Sequence, residues 1–234
     1  MEKSIYSDGI YRQKNPDWHM ADSAWKAERI AAILERNSVS FSSCVEVGCG
    51  AGQVLRELAP RYPGRRFSGY DVSADAASFW SAPPATSVEY QRADFTTVDA
   101  NADLLLLIDV FEHVEDYMGF LRKLSGRARW FVFHIPLDLH VSGLLRDRQM
   151  NARQQVGHVH YFSRATAMAT LSDTGYRLID EELTQLSQQT SEGRRALTLV
   201  ANVFRRSVQL VSAGLAAKLF GGYSLLVLAE GSGR

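Results

Sequence analysis

Three glycines, Gly48, Gly50 and Gly52, follow a short apolar run in "CVEVGCGAGQVLREL", which starts at Cys44, and Glu46 stands two residues before the first of them. Glycines at this spacing let a chain turn sharply and bring main-chain N–H groups against a ligand. Four acids recur where later apolar runs end: Asp71 closes "FSGYD", Asp94 lies in "RADF", and Asp109 and Glu112 lie in "DVFEHV". Carboxylates so placed can accept from ribose hydroxyls or exocyclic amines, or pair with a ligand cation. His113 follows Glu112, and "GHVHYFS" adds His158 and His160. Imidazoles titrate near working pH, so these are candidate proton acceptors.

The chain that must hold them in place has 234 residues, enough for one α/β domain spanning residues 1–234 with a full core. Acidic and basic residues balance at 26 each, so no polyanion such as nucleic acid is expected as a partner. Cys44 and Cys49 fit neither a disulfide framework nor a zinc knuckle, and they suit a reducing, cytoplasmic setting. The first twenty residues lack the apolar core of a signal peptide. "VQLVSAGLAAKLFGGYSLLVLA" is broken by Lys218 and by Gly221-Gly222, which reads as helix, turn and buried strand rather than a membrane span.

Strands are expected at 44–48, 66–71, 88–91, 103–109 and 129–135. "DLLLLID" and "RWFVFHI" are near-continuous apolar runs, as central parallel strands buried on both faces should be. Between the strands lie helical stripes such as Val54, Leu55, Leu58 and Tyr62, then Tyr117, Phe120, Leu121 and Leu124. Asp22 and Ser23 are expected to cap a helix carrying Ala27, Ile30, Ile33 and Leu34; Ser163 starts another, which Gly175 ends. "YRLIDEEL" and "YSLLVLAE" are the last two strands. This alternation predicts a doubly wound α/β sheet, whose ligands bind at the carboxyl ends of the strands. All the acids above fall on that rim.

Three ligands compete for such a turn. A nucleoside triphosphate is excluded because no Gly-Lys-Ser/Thr follows. A dinucleotide wants a third glycine where Gln53 stands. Glu46 sits poorly beside two phosphates but well beside a ligand carrying an ammonium and a sulfonium, as S-adenosylmethionine (SAM) does.

"VEVGCGAGQ", "GYDVS", "RADF" and "LLLLIDVFEHVED", in this order, resemble the successive motifs of class I SAM-dependent methyltransferases over roughly residues 20 to 180. The similarity is to the small-molecule branch with a DVxEHV motif. It implies a mostly parallel, seven-stranded Rossmann-like sheet whose last strand is antiparallel, with "YSLLVLAE" inserted between "RWFVFHI" and "YRLIDEEL". It also implies roles for named residues. Glu46 would lie near the methionine amine, with the backbone of Gly48, Cys49 and Gly50 along the methionine moiety. Asp71 would hold the ribose diol and Val72 would pack on adenine. Asp94 would accept from the adenine amino group, and the Phe95 amide would donate to the ring. The main chain at Asp109 would complete the methionine site. Cys49 itself reads as a small filler of the turn, with no basic partner to make it a nucleophile.

Methyl transfer from a sulfonium is an in-line displacement, and it needs a base only when the acceptor enters protonated, as a hydroxyl does. O-methylation of a small molecule is the expected reaction, though the residues themselves do not choose between oxygen, nitrogen and carbon, with His113 as base and His160 and His134 as weaker candidates. A divalent metal is not expected. If one were bound, Asp109, Glu112 and His113 match an acid followed by Glu-His, with Asp where metal-binding relatives have Glu. Residues 1–36 are expected to form a helical lid, with Trp18 or His19 shielding the sulfonium. Residues 136–162 are too long for an ordinary connection and read as a substrate-binding insertion, with Arg146, Arg148, Arg153 and His158 gripping an anionic acceptor. The rival readings are a nicotinamide-dependent oxidoreductase and a catalytically inactive SAM-binding module. A nucleic-acid base methyltransferase would often carry an Asn/Asp-Pro-Pro-aromatic element where "DVFE" stands.

Overall fold

The structure, a computed structural model, describes residues 10–18, 20–80, 88–185 and 212–232. Seven strands form one sheet: β1 (Ser43–Val47), β2 (Arg66–Asp71), β3 (Val88–Arg92), β4 (Leu104–Ile108), β5 (Trp130–Pro136), β6 (Tyr176–Thr184) and β7 (Ser224–Gly231). Their order is β3-β2-β1-β4-β5-β7-β6. Strands β1 to β5 pair in parallel, and β7 runs antiparallel between β5 and β6. The inserted antiparallel last strand is where the sequence motifs place it.

Among the described residues the helices are α1 (Ile10–Lys14), α2 (Ser23–Arg36), α3 (Gln53–Leu58), α4 (Ala74–Ala77), α5 (Tyr117–Leu124), α6 (Val141–Leu144), α7 (Arg148–Gln155), α8 (Arg164–Asp173) and α9 (Ala213–Phe220). None is long and apolar enough to cross a membrane. The central strands sort alternate residues onto two cores. Leu105, Leu107, Phe131 and Phe133 join Leu121, Leu124, Ala167 and Ala216 on one face. Leu104, Leu106, Ile108 and Val132 join Ile30, Ile33, Leu34 and Leu55 on the other. Helices on both faces bury both rows, which is why β4 and β5 carry no polar alternation.

Ser163 caps α8 with a reciprocal Thr166 bond, and Gly175 follows its end at φ +98. Asp22 departs from expectation. Met20–Asp22 is already a 3-10 turn, and Asp22 has helical angles (φ −91, ψ −7) that do not aim its carboxylate at the first N–H groups of α2. Charge anchors that helix instead: Arg36 Nε meets Asp180 Oδ2 at 2.6 Å, and Arg29 meets Glu182 Oε1 at 3.1 Å, both on strand β6. The N-terminal arm and the 136–162 segment meet as well, since Lys14 Nζ donates to Gln154 O at 2.5 Å and Asn15 to Gln155 O at 3.1 Å.

Candidate active site

A cavity of 550 Å³ opens at the carboxyl ends of β1, β2 and β4, where the strand order reverses. The glycine turn forms its floor. Gly48, Gly50 and Gly52 all have left-handed φ (+73, +52 and +76), and the Gly48 and Cys49 amides both donate to Tyr70 O. A Cβ on Gly48 would lie 2.8 Å from Val110, so the turn has no room for a side chain there. Where a dinucleotide fold wants close helix approach, Tyr90 instead donates its hydroxyl to Gly52 O at 2.7 Å and stacks on Trp80. Cys49 is buried, and burial raises its thiol pKa, in keeping with a filler.

Of the acids of the rim, Glu46, Asp71, Asp94 and Asp109 line this cavity, and Glu112 does not. Glu46 is 2% exposed, and its Oε2 has no hydrogen-bond partner. Burial pushes its pKa up to about 8 against the opposing pull of Lys26. Asp71 accepts from the Gly50 and Ser73 amides, each at 2.8 Å; burial raises its pKa and these bonds oppose the rise. Val72 is 65% exposed while lining the cavity, an apolar surface left for a flat ring. Asp94 accepts from the Thr96 amide at 2.9 Å beside the buried Phe95, and both line the cavity.

Asp109 ends β4 at φ +54, a left-handed angle uncommon outside glycine. Its Oδ1 lies 2.6 Å from His134 Nδ1, and its Oδ2 lies 2.7 Å from Lys26 Nζ. Burial alone would raise its pKa, but the charges and hydrogen bonds of His134 and Lys26 hold it well below the carboxylate range. His134 Nε2 is also engaged, by Thr184 at 3.1 Å, so both of its nitrogens are occupied and it is no longer a candidate base.

The remaining histidines separate. His113 lines the cavity with Nδ1 3.2 Å from Gly157 O; burial, then the charge of His158, pushes its pKa down to about 4. His158 also lines the cavity, 4.8 Å from His113 between ring centroids, with Nδ1 2.5 Å from Asp138 Oδ2. His160 does not line it: Nε2 bonds Glu115 O at 3.0 Å and the ring lies against Tyr117. Two positions apart on an extended strand, His158 and His160 would point the same way. The amides of Val159 and His160 both donate to Glu112 O, and that shared acceptor curls the chain.

The proposed metal set is not brought together as written, because Lys26 and His134 occupy Asp109. Glu112, His113 and His158 instead place ligand-type atoms within 4.8 Å of one another. Glu112 is fully buried without a hydrogen bond to either oxygen, and burial together with the Asp109 charge raises its pKa well above the usual range.

Arg146, Arg148 and Arg153 are exposed on and before α7 and do not line the cavity; Pro136, Val156 and His158 are what their segment contributes. Trp18 and Met20 from the N-terminal arm line it, while His19 lies outside the described residues. Lys26 and Asp138 are the residues that sequence reasoning missed. Lys26 carried a faint signal, a lysine on the same helical stripe as Ser23, Ala27 and Ile30, which are buried.

The family model described as "Methyltransferase domain" matches residues 18–181. A curated relative, the trans-aconitate 2-methyltransferase of Deinococcus radiodurans, is 28% identical over 119 residues, which cover 49% of this chain and 45% of that protein. The chain thus spans less than half of that relative. Among solved structures, a magnesium protoporphyrin IX methyltransferase from Synechocystis PCC 6803 with bound SAH is 16% identical, with a TM-score of 0.60 over 97% of this chain and 96% of that one. An N-methyltransferase from Bradyrhizobium japonicum WM9, in complex with S-adenosyl-L-homocysteine, is also 16% identical, with a TM-score of 0.57 over 99% and 96%. These structures share the fold. The family match covers well over half of the chain, including the glycine turn, the acids of the rim and both cavity histidines, and the chain therefore belongs to the methyltransferase-domain family.

Proposed function

We propose that the protein transfers a methyl group from SAM to a hydroxyl of a small acceptor, with His158 as the base. The observation that carries the cofactor half is Glu46, a buried carboxyl with an unpartnered oxygen in the cavity wall beside the glycine turn. An ammonium would satisfy that oxygen, whereas a phosphate would be repelled once the group ionises. Asp71 would receive the ribose hydroxyls, the exposed Val72 face the adenine, and Asp94 with the Phe95 amide the adenine edge. The main chain of Gly48, Gly50 and Asp109 would border the methionine part. Bound SAM supplies an electrophilic methyl on a sulfonium.

The chain's own contribution is to hold an acceptor oxygen in line and remove its proton. A carboxylate and a carbonyl can only accept, so Asp138 and Gly157 fix the Nδ1–H tautomers of His158 and His113. His158 then offers Nε2 as an acceptor, and the Asp138 charge stabilises the imidazolium that forms. His113, held neutral, would be a polar wall rather than the base. Methyl transfer of this class needs no metal, and none is invoked. The exposed arginines give no support for an anionic acceptor. The arm within residues 1–36 and the segment 136–162 would close the cavity, and a cytoplasmic setting suits the reduced cysteines. Known relatives act on different acceptors, so the acceptor class rests on the histidine pair alone.

Calorimetry with S-adenosylhomocysteine (SAH) and NAD tests the cofactor half. Micromolar SAH binding is expected, weakened about tenfold or more by Asp71→Ala, which removes an acceptor of charge-assisted hydrogen bonds. NAD binding with no SAH binding would overturn it. SAH release over a panel of phenols and alcohols tests the acceptor half, and amines alone as acceptors would refute O-methylation.

A further inference from the structure

Exposed apolar side chains are not scattered over this chain. Apart from Val72 in the cavity, the large ones left exposed among the described residues are Val141, Leu144, Leu145, Met150 and Leu215. All of them lie on α6, α7 and α9 or in the turn between the first two. Val141, Leu144 and Leu145 are spaced three and four apart, on one side of the α6 turn, and Met150 follows on α7. Helix α9 packs beside α6: Ser142 Oγ donates to Phe220 O at 3.1 Å, and the His140 ring fills the space that a side chain on Gly221 would need. Leu145 is 81% exposed, a protruding tip rather than the wall of a groove. Single exposed apolar residues are ordinary, but a cluster marks a surface that meets something.

The charges around these tips are basic. Arg146, Arg148, Arg153 and Lys218 are exposed on the same elements, and Asp147 is the one acid there, in a chain whose formal net charge is zero. Apolar tips in a basic surround fit an anionic lipid surface, where the tips enter the acyl boundary and the cations meet the phosphates. The same composition opposes a symmetric contact between two copies, which would set these cations against one another. We propose that the face built by α6, α7 and α9 docks on an anionic lipid bilayer, lying on its surface without crossing it. The segment carrying α6 and α7 lines the cavity at Pro136 and again at Val156 and His158. Helix α7 has eight residues, a length of about 12 Å. Docking therefore holds the cavity within about one helix length of the headgroups, where an amphiphilic acceptor can enter. That consequence rests on the methyltransferase reading above, whereas the docking itself does not.

Vesicle flotation of the full chain tests it. Phosphatidylcholine vesicles containing about 30% phosphatidylglycerol should carry the protein, and pure phosphatidylcholine vesicles should not. Leu144→Asp combined with Leu145→Asp should weaken binding about tenfold or more. Arg146→Gln combined with Arg148→Gln should weaken it about fivefold for each charge removed. Tm and SAH affinity should hold in both variants, because these side chains are exposed and do not line the cavity. Cys44 and Cys49 are both buried, so Leu145→Cys offers one exposed thiol for an environment-sensitive dye, whose emission should shift to the blue on anionic vesicles. Equal binding to both kinds of vesicle, retained binding by the Asp variant, or a dye that does not shift would overturn the inference. A wild-type dimer that the Asp variant turns into a monomer would assign the face to a second copy. Capture of polyglutamate as tight as that of the vesicles would reduce it to charge alone, and either result overturns docking on lipid. None of these outcomes touches the SAM reading, which SAH binding tests by itself.

Discussion

His158 Nδ1 donates to Asp138 Oδ2 at 2.5 Å, which leaves the far nitrogen of a cavity-lining imidazole as an acceptor. If His158 is the base, His158→Gln should lower kcat by about 10²- to 10⁴-fold and leave SAH affinity intact. Asp138→Asn keeps the shape but removes the charge that faces the ring, so kcat should fall while SAH affinity holds. His113 is already neutral above about pH 5, because burial pushes its pKa down to about 4. His113→Gln should therefore leave the pH dependence of kcat above about pH 5 unchanged. An Asp138→Asn protein with unchanged kcat would remove Asp138 from the mechanism.

Glu46 predicts opposite pH trends for stability and for ligand affinity. With its pKa pushed up to about 8 by burial, the folded chain holds a proton that the unfolded chain releases near pH 4.5. The stability given by the neutral form is complete below pH 4.5 and is lost as pH rises towards 8. Glu46→Gln, which cannot ionise, should raise Tm at pH 8 by a few degrees, about 2–4 °C per kcal/mol recovered, and change it little at pH 5. SAH affinity should instead rise with pH, since the ionised carboxylate is the partner an ammonium wants. Scanning calorimetry and titrations between pH 5 and 8.5 check both, and a pH-independent affinity would argue against Glu46 as the ammonium site.

Gly52 is held open by Tyr90. A Cβ at Gly52 would lie 2.4 Å from Tyr90 Cε1, and its φ of +76 is strained for any other residue. Gly52→Ala should cost about 2 kcal/mol or more of stability, because ring and backbone are both fixed. Tyr90→Phe removes the bond to Gly52 O and keeps the ring, and should cost about 1 kcal/mol. Chemical denaturation measures both, and a near-neutral Gly52→Ala would show that the ring yields.

The strands were legible because β4 and β5 are buried on both faces, and the acids were legible because Asp71, Asp94 and Asp109 each follow a strand end. What sequence could not show was pairing across the chain. Lys26 meets a partner 83 residues away, and Asp138 meets His158 across a loop of 20. The arginines misled for a physical reason. They share a segment with His158, but all three are exposed on or before α7, and the segment touches the cavity at Pro136 and again after the helix ends at Gln155.

The N-terminal arm makes the last prediction. Trp18 holds a left-handed φ of +47, packs at a tilt against Phe79 and lines the cavity above Gly50. A left-handed tryptophan persists only where its surroundings fix it, and Lys14 and Asn15 supply part of that fixing through α7. The cores begin further on, at Ala27 and beyond in α2, so removing the arm takes little from them. Trp18→Ala should therefore weaken SAH about tenfold, the loss of 1–2 kcal/mol of apolar cover, while Tm shifts little. Deleting residues 1–18 should do the same and should lower turnover further, because water then reaches the sulfonium. SAH should in turn protect the arm from limited proteolysis in the wild-type chain. Equal affinity and turnover in the truncated protein, with no ligand protection in the intact one, would leave Trp18 as a packing residue and the cavity without a lid.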